Sequence, residues 1–214
     1  IELKEKSSFV EGYLKLDIQT VKSVFRNLGF YFVKVEAFKT ENQNNTIDLI
    51  YEIDLGERAK ISKILFTGDK KIKDSKLRNV ITSEEAKFWK FISNKKFLNE
   101  DRISLDARLL ENYYKNKGYY QVEVNTTNVT HEQSEGFLLT YNISAGKRFI
   151  VEDFSFDIPD TLNEKHFAEV KNMASQIKNK YYSPRRIKKI LDKLNTLTSK
   201  SDLQFMKSKV SEAI

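Results

Sequence analysis

From Gly118 onward the side chains alternate, with Tyr120, Val122 and Val124 on one face and Gln121, Glu123 and Asn125 on the other. This is the period of two that predicts a strand. Just upstream, Ile103, Ala107, Leu110 and Tyr114 fall at i, i+4, i+7 and i+11, the apolar stripe of a helix. Asn99 or Asp101 supplies its cap, and Gly118 its permissive exit. After a loop from Asn128 to Gly136, Phe137, Leu139, Tyr141 and Ile143 predict a second strand. Ahead of the helix, Lys60 to Phe66 sets Ile61, Lys63 and Leu65 against Ser62, Ile64 and Phe66, a strand closed by Gly68-Asp69. Asp74 is the expected N-cap of a short helix carrying Leu77, Val80 and Ile81 inward, and a loop with Phe88, Trp89, Phe91 and Phe97 follows. The order is strand, helix, helix, strand, strand. Two apolar helix stripes laid on one apolar sheet face close a core of about 90 residues.

This pattern occurs more than once. "TIDLIYEIDLGERAKISKILFTG" (Thr46 to Gly68) matches "GFLLTYNISAGKRFIVEDFSFDI" (Gly136 to Ile158), pairing Tyr51 with Tyr141, Gly56 with Gly146, Arg58 with Arg148 and Phe66 with Phe156. "NLGFYFVKVEA" matches "NKGYYQVEVNT" at almost the same shift, pairing Gly29 with Gly118, Val33 with Val122 and Val35 with Val124. "FLNEDRISLDARLLENYY" (Phe97 to Tyr114) resembles "YYSPRRIKKILDKLNTLT" (Tyr181 to Thr198), pairing Arg102 with Arg186 and Leu110 with Leu194. The third copy has Ser201-Asp202 where the others have the helix-end glycine.

The expected fold class is therefore α+β, built of tandem β-α-α-β-β modules, each a three-stranded mixed sheet covered by a helix pair. Residues 1–57 are the C-terminal part of one module, 58–146 a complete one, and 147–214 the N-terminal part of a third. The joints Gly56-Glu57-Arg58 and Gly146-Lys147-Arg148 are short, which predicts an articulated rod.

Composition narrows the chemistry. With no cysteine there is no disulfide, thiolate nucleophile or Cys-ligated metal. His131, expected in a loop, and His166, expected on a helix, have no partner at metal-ligand spacing, so no metal or other cofactor is expected. No nucleophile elbow, phosphate loop or dinucleotide fingerprint occurs, so no enzyme is expected either. Glu84-Glu85 and Glu100-Asp101 read as helix-start carboxylates rather than catalytic pairs. No run approaches the roughly 18 apolar residues of a spanning helix, and the chain starts at Ile1 without a signal-type segment, which suggests a processed protein or a piece of one.

The net charge of +7 admits anionic partners, but acids and bases are interspersed. The densest basic run, Lys178, Lys180, Arg185, Arg186, Lys188 and Lys189, reads first as a solvated helix face and otherwise as a site for lipid headgroups, nucleic acid or an acidic surface. A base-stacking platform around Gly118 is disfavoured because Tyr114 and Tyr120 take inward positions. Trp89, with Phe88 and Phe91, is expected to plug the end of a core or a joint.

With "YYKNKGYYQVEV" at the helix-to-strand junction, "YNISAGKRF" at the module joint and "FWKFISNKKFLNEDRISLDARLLENYYKNKGYY" between them, the chain resembles the POTRA family. It is similar to modules two to four of the tandem array that precedes a membrane barrel in the family's barrel-assembly members. The resemblance implies a periplasmic scaffold that binds unfolded outer-membrane proteins and accessory lipoproteins, partly by adding a strand to a sheet edge. On this reading the client-binding edge is Tyr119, Tyr120, Gln121, Val122, Glu123, Val124 and Asn125. The secondary edge is Phe30, Tyr31, Phe32, Val33, Lys34, Val35 and Glu36, where Lys34 and Glu36 point outward and make it the poorer receiver. Membrane contact is expected only through a barrel absent from this chain, and no nucleic acid is expected. The alternatives are the polypeptide-receiving modules of a secretion or import transporter, and a nucleic-acid binder using the basic third segment.

Overall fold

The computed structural model describes residues 1–89, 93–132, 136–159, 162–200 and 208–213. In chain order, α1 (Glu11–Asn27) precedes the hairpin β1 (Lys34–Glu41) and β2 (Ile47–Asp54). Then come β3 (Ile61–Asp69), α2 (Asp74–Arg78), α3 (Glu100–Lys115), β4 (Glu123–Glu132), β5 (Gly136–Ser144), α4 (Ala168–Ser175) and α5 (Pro184–Lys200). β1 and β2 pair antiparallel, Val35 opposite Ile53 and Phe38 opposite Ile50. β3, β4 and β5 form a three-stranded mixed sheet in the order β3-β5-β4. The middle copy is thus the α+β module that its periodicities predict.

By contact density the chain divides into residues 1–109 with 124–142, and residues 110–123 with 143–214. In the first unit, Leu14, Val33 and Val35 are buried beside α1 and β1. Ile61, Ile64, Phe66, Leu77, Leu139 and Tyr141 are buried too, with the Phe66 and Tyr141 rings stacked at 5.8 Å. In the second unit the buried side chains include Leu110, Tyr114, Ile143, Phe167 and Val170.

Several local expectations change. Asp74 is the first residue of α2 rather than its cap, because its carboxylate binds the Lys70 ammonium at 2.6 Å. α2 is a single turn, so Val80 and Ile81 lie beyond it, half-buried, and only Leu77 is fully inside. In β3 both Ile61 and Ile64 are buried, so simple alternation fails there. Glu84 and Glu85 start no helix. Glu85 instead accepts the Ile64 amide at 3.0 Å and the Arg78 guanidinium at 2.6 Å. Burial alone would push the Glu85 carboxyl up, but these partners hold it below its usual range.

β4 continues through His131, which is therefore in a strand and not a loop, and residues 133–135 of the loop expected between Asn128 and Gly136 lie outside the described residues. His166 sits in a short 3-10 helix, Glu164–Phe167. The third copy forms no strand among the described residues of 147–159, only a bridge between Ile150 and Tyr181. The order β3-β5-β4 explains why. A module's first strand pairs with its last, and the third copy has no such strand among the described residues. Ser201 and Asp202 also lie outside them.

Candidate functional site

The residues after Gly118 and Gly29 set where an edge strand begins. Tyr119 donates its amide to the Tyr114 carbonyl at 3.1 Å and Gly118 to Lys115 at 3.0 Å, a helix-ending Schellman motif, and Gly118 has φ +97°. Val122 then donates to the Tyr119 carbonyl, closing a turn, so β4 begins only at Glu123. The earlier copy repeats this: Phe30 donates to Phe25, Gly29 to Arg26 and Val33 to Phe30, and β1 begins at Lys34. Of the expected edge residues, Tyr119, Tyr120, Gln121 and Val122, and likewise Phe30, Tyr31, Phe32 and Val33, therefore belong to turns and not to strands. A helix exit, a left-handed residue and a β-turn consume four residues before any ladder can start. Only Glu123, Val124 and Asn125, and Lys34, Val35 and Glu36, lie in strands.

β4 occupies one end of its sheet, beside β5. Its ten residues, EVNTTNVTHE, contain no proline and keep every backbone donor. β1 carries exposed Lys34, Glu36, Lys39 and Glu41, the last two 3.8 Å apart as an ion pair. Tyr31 and Phe32 are turned away from any ladder, their rings 5.4 and 5.6 Å from that of Phe137.

Each arginine of the expected joints closes a junction of the same design. Arg58 donates two hydrogen bonds to the Leu28 carbonyl, at 2.8 and 3.1 Å, and lies 3.7 Å from the centre of the Phe97 ring. Arg148 donates to the Lys117 carbonyl at 2.8 Å and lies 3.3 Å from the Tyr181 ring centre. The Ala59 amide donates to Gly29 and the Phe149 amide to Gly118. Asn27 donates to Asp101 and accepts from Asn99 through its carbonyl, while Asn116 accepts from Ser183 and the Arg185 amide. Helix end, arginine and the next copy's aromatic are thus locked together in each unit, with guanidinium stacking adding to the hydrogen bonds. Gly56 and Gly146, at φ +60° and +68°, have nothing within 4 Å of an added Cβ.

Two residues missed by the sequence reading form a second repeated device. Asp106 is fully buried and accepts from the Thr82 amide (2.6 Å) and hydroxyl (2.7 Å), the Ser83 amide (3.0 Å) and the Tyr141 hydroxyl (3.0 Å). Asp17, at the matching place on α1, is also buried and accepts from the Glu2 and Leu3 amides and from Tyr51 at 3.2 Å. Burial pushes the Asp17 carboxyl up, yet those amides and then Tyr51 hold it below the usual carboxylate range. The available signal was the pairing of Tyr51 with Tyr141 together with an aspartate at almost the same distance before each, 34 and 35 residues. The third copy carries Ile190 where Asp106 stands.

Burial first, and then the Asp106 charge, drive the Tyr141 hydroxyl far above the usual phenol value. The native state therefore holds that proton more tightly than the unfolded chain does. Its contribution to stability is complete below about pH 10 and is lost as pH rises towards the folded value. Denaturation midpoints should fall between about pH 9 and about pH 12. Tyr141→Phe should be less stable at neutral pH but lose less over that interval, and an unchanged slope would refute the assignment.

The aromatic loop departs from expectation. Phe88 is 89% and Trp89 58% exposed, so neither plugs a core, and Phe91 lies outside the described residues. In the basic run, Lys178 pairs with Asp153 at 2.8 Å, while Lys180, Arg185, Arg186, Lys188 and Lys189 are exposed, as on a solvated face. No group of three or more His, Cys, Asp or Glu able to hold a metal occurs among the described residues. No helix among them is long and apolar enough to cross a membrane.

This sheet order and these junctions define a class. A sequence model of the POTRA family, "Surface antigen variable number repeat", matches residues 59–146, and that segment is a POTRA domain. The relatives along the chain are more particular. Outer membrane protein assembly factor BamA of Neisseria meningitidis is 23% identical over 193 residues, covering 90% of this chain and 24% of the relative. BamA of Buchnera aphidicola is 22% identical over 155 residues, covering 72% of the chain and 25% of the relative. The chain thus spans about a quarter of these curated relatives. Among solved structures, BamA POTRA3-5 of Haemophilus influenzae superposes with a TM-score of 0.53 at 13% identity, over 92% of this chain and 76% of that one, which speaks to the fold.

Proposed function

We propose that this chain is the periplasmic, polypeptide-receiving part of an outer-membrane protein assembly factor, and that it takes up unfolded barrel clients and accessory proteins by adding a strand at β4. We read its copies as 1–57, 58–146 and 147–214. The observation that carries the proposal is the place of β4 at the end of the order β3-β5-β4. An edge offers a row of amides and carbonyls that bind any extended chain without demanding its sequence. From Thr126 to Thr130 the sequence has no charge, whereas β1 exposes four charged side chains, so β4 is the receiver and β1 is secondary. The relatives are named as outer-membrane assembly factors, which favours this class over a nucleic-acid binder.

The test is site-specific photocrosslinking to an unfolded barrel protein, with the probe at each position from Glu123 to Thr130 in turn. Strand addition predicts efficiencies that alternate with a period of two and that survive about 0.5 M salt, whereas phosphate-type binding would collapse. Proline at Asn125 or Thr126, one of which presents its amide outward, should abolish crosslinking in a folded protein. Proline at Gln121, in the turn, should leave it largely intact. Equal crosslinking in all folded proline variants would remove the edge from the mechanism.

A further inference from the structure

Phe88 and Trp89 sit next to each other and leave most of their surface in water, at 89% and 58% exposure, with rings packed edge to face 4.5 Å apart. Two adjacent aromatics so exposed mark a contact surface rather than a solvated loop. The cations that line the surface beside them, among the described residues, are lysines. Lys87 lies with its ammonium 5.5 Å from the Trp89 ring centre, and a shallow depression of about 270 Å³ is lined by Lys60, Ala86, Lys87, Phe88 and Lys96. The nearby Glu85 carboxylate is engaged by Arg78 and the Ile64 amide.

From this geometry we infer that the Phe88–Trp89 tip is a membrane-surface anchor that inserts its rings at the headgroup level of an anionic bilayer, with Lys60, Lys87 and Lys96 reaching lipid phosphates. The choice of lysine carries the assignment to a bilayer. Protein–protein contact centres favour arginine beside aromatics and are depleted in lysine. Bilayer interfaces instead combine tryptophan with lysines whose aliphatic stems lie along apolar surface while the ammonium stays in water. Phosphate-bearing headgroups complement the three ammonium groups, and the depression receives one such group beside the Phe88 ring. The anchor is independent of strand addition, and it departs from the expectation that membrane contact runs only through a barrel outside this chain.

Trp89 is the single tryptophan of the chain, so its emission reports directly on this tip. The 214-residue protein is titrated with vesicles of phosphatidylethanolamine containing about a quarter phosphatidylglycerol, in parallel with phosphatidylcholine vesicles. A blue shift and co-sedimentation with the anionic vesicles only, weakening from about 50 to about 500 mM salt, is the expected result. Phe88→Ser should weaken co-sedimentation about tenfold. Lys87→Gln and Lys96→Gln should each weaken it about fivefold. Phe88 and Lys87 are exposed, Lys96 is half-buried with its ammonium 5.5 Å from the Phe97 ring centre, and unchanged far-ultraviolet circular dichroism verifies the fold of each variant. No shift with anionic vesicles, equal binding to phosphatidylcholine, or a shift seen only with an added protein partner would overturn the anchor. Loss of vesicle binding in Phe88→Ser with crosslinking at β4 intact separates this inference from the strand-addition reading.

Discussion

Replacing Asp106 with alanine is expected to lower the unfolding free energy by about 3–5 kcal/mol, more than any other single polar substitution in the middle copy. The carboxylate satisfies the amides of Thr82 and Ser83 and the Tyr141 hydroxyl at 2.6–3.0 Å, and Asp106, Ser83 and Tyr141 are buried. Removing it strands the Ser83 amide and the Tyr141 hydroxyl where water does not reach them, and each unpaired buried donor costs about 1–3 kcal/mol. Asp106→Asn keeps the volume but turns one acceptor into a donor facing donors, so it should recover little. Asp17→Ala should cost less, because its partners Glu2 and Leu3 are near the surface and Tyr51 is only half-buried. Chemical denaturation of the four proteins checks the order wild type, Asp17→Ala, Asp106→Asn, Asp106→Ala. A loss below about 1 kcal/mol in the last would mean the network is solvated.

Gly118→Ala is the second large effect, at about 2–4 kcal/mol. Two terms add. The backbone is held at φ +97°, where an L side chain is strained, and the new Cβ would lie 3.1 Å from the Tyr181 Cβ and 3.2 Å from the Phe149 carbonyl. That carbonyl and ring belong to the Arg148 junction, so relief by movement would break the Arg148 to Lys117 hydrogen bond. Gly29→Ala should behave alike, with an added Cβ 3.0 Å from that of Phe97. Gly12→Ala is the contrast: it is helical, nothing lies within 4 Å, and it should gain up to about 1 kcal/mol. Thermal melts that rank Gly118→Ala beside Gly12→Ala would contradict the junction.

Much of the candidate site was legible before any coordinates. The glycine followed by aromatics and alternating valines marked each helix-to-strand passage, and the matched arginines marked each junction. The start of the edge was displaced by four residues because alternation in "YYQVEV" continues smoothly across a turn. Composition does not reveal that Val122 donates to Tyr119 instead of to a neighbouring strand. Asp17 and Asp106 read as polar positions on amphipathic helices, since a carboxylate's burial depends on donors brought from distant segments. Phe88 and Trp89 read as core for the opposite reason: hydrophobicity states a preference for burial, and only packing decides whether anything covers it.

By itself the sequence determined the repeat, the strand-helix-helix-strand-strand order and the absence of thiol chemistry, because periodicity and residue type are local properties of the chain. Tertiary structure decided that β4 is an edge strand and β5 the central one, and that Asp106 meets Tyr141. It also decided that the third copy makes only a bridge at Ile150 among its described residues. Each of these depends on which distant backbone amide reaches which acceptor. Hydrogen-bond partners separated by 35 residues or more are chosen by the closing of the core and not by neighbours in the chain.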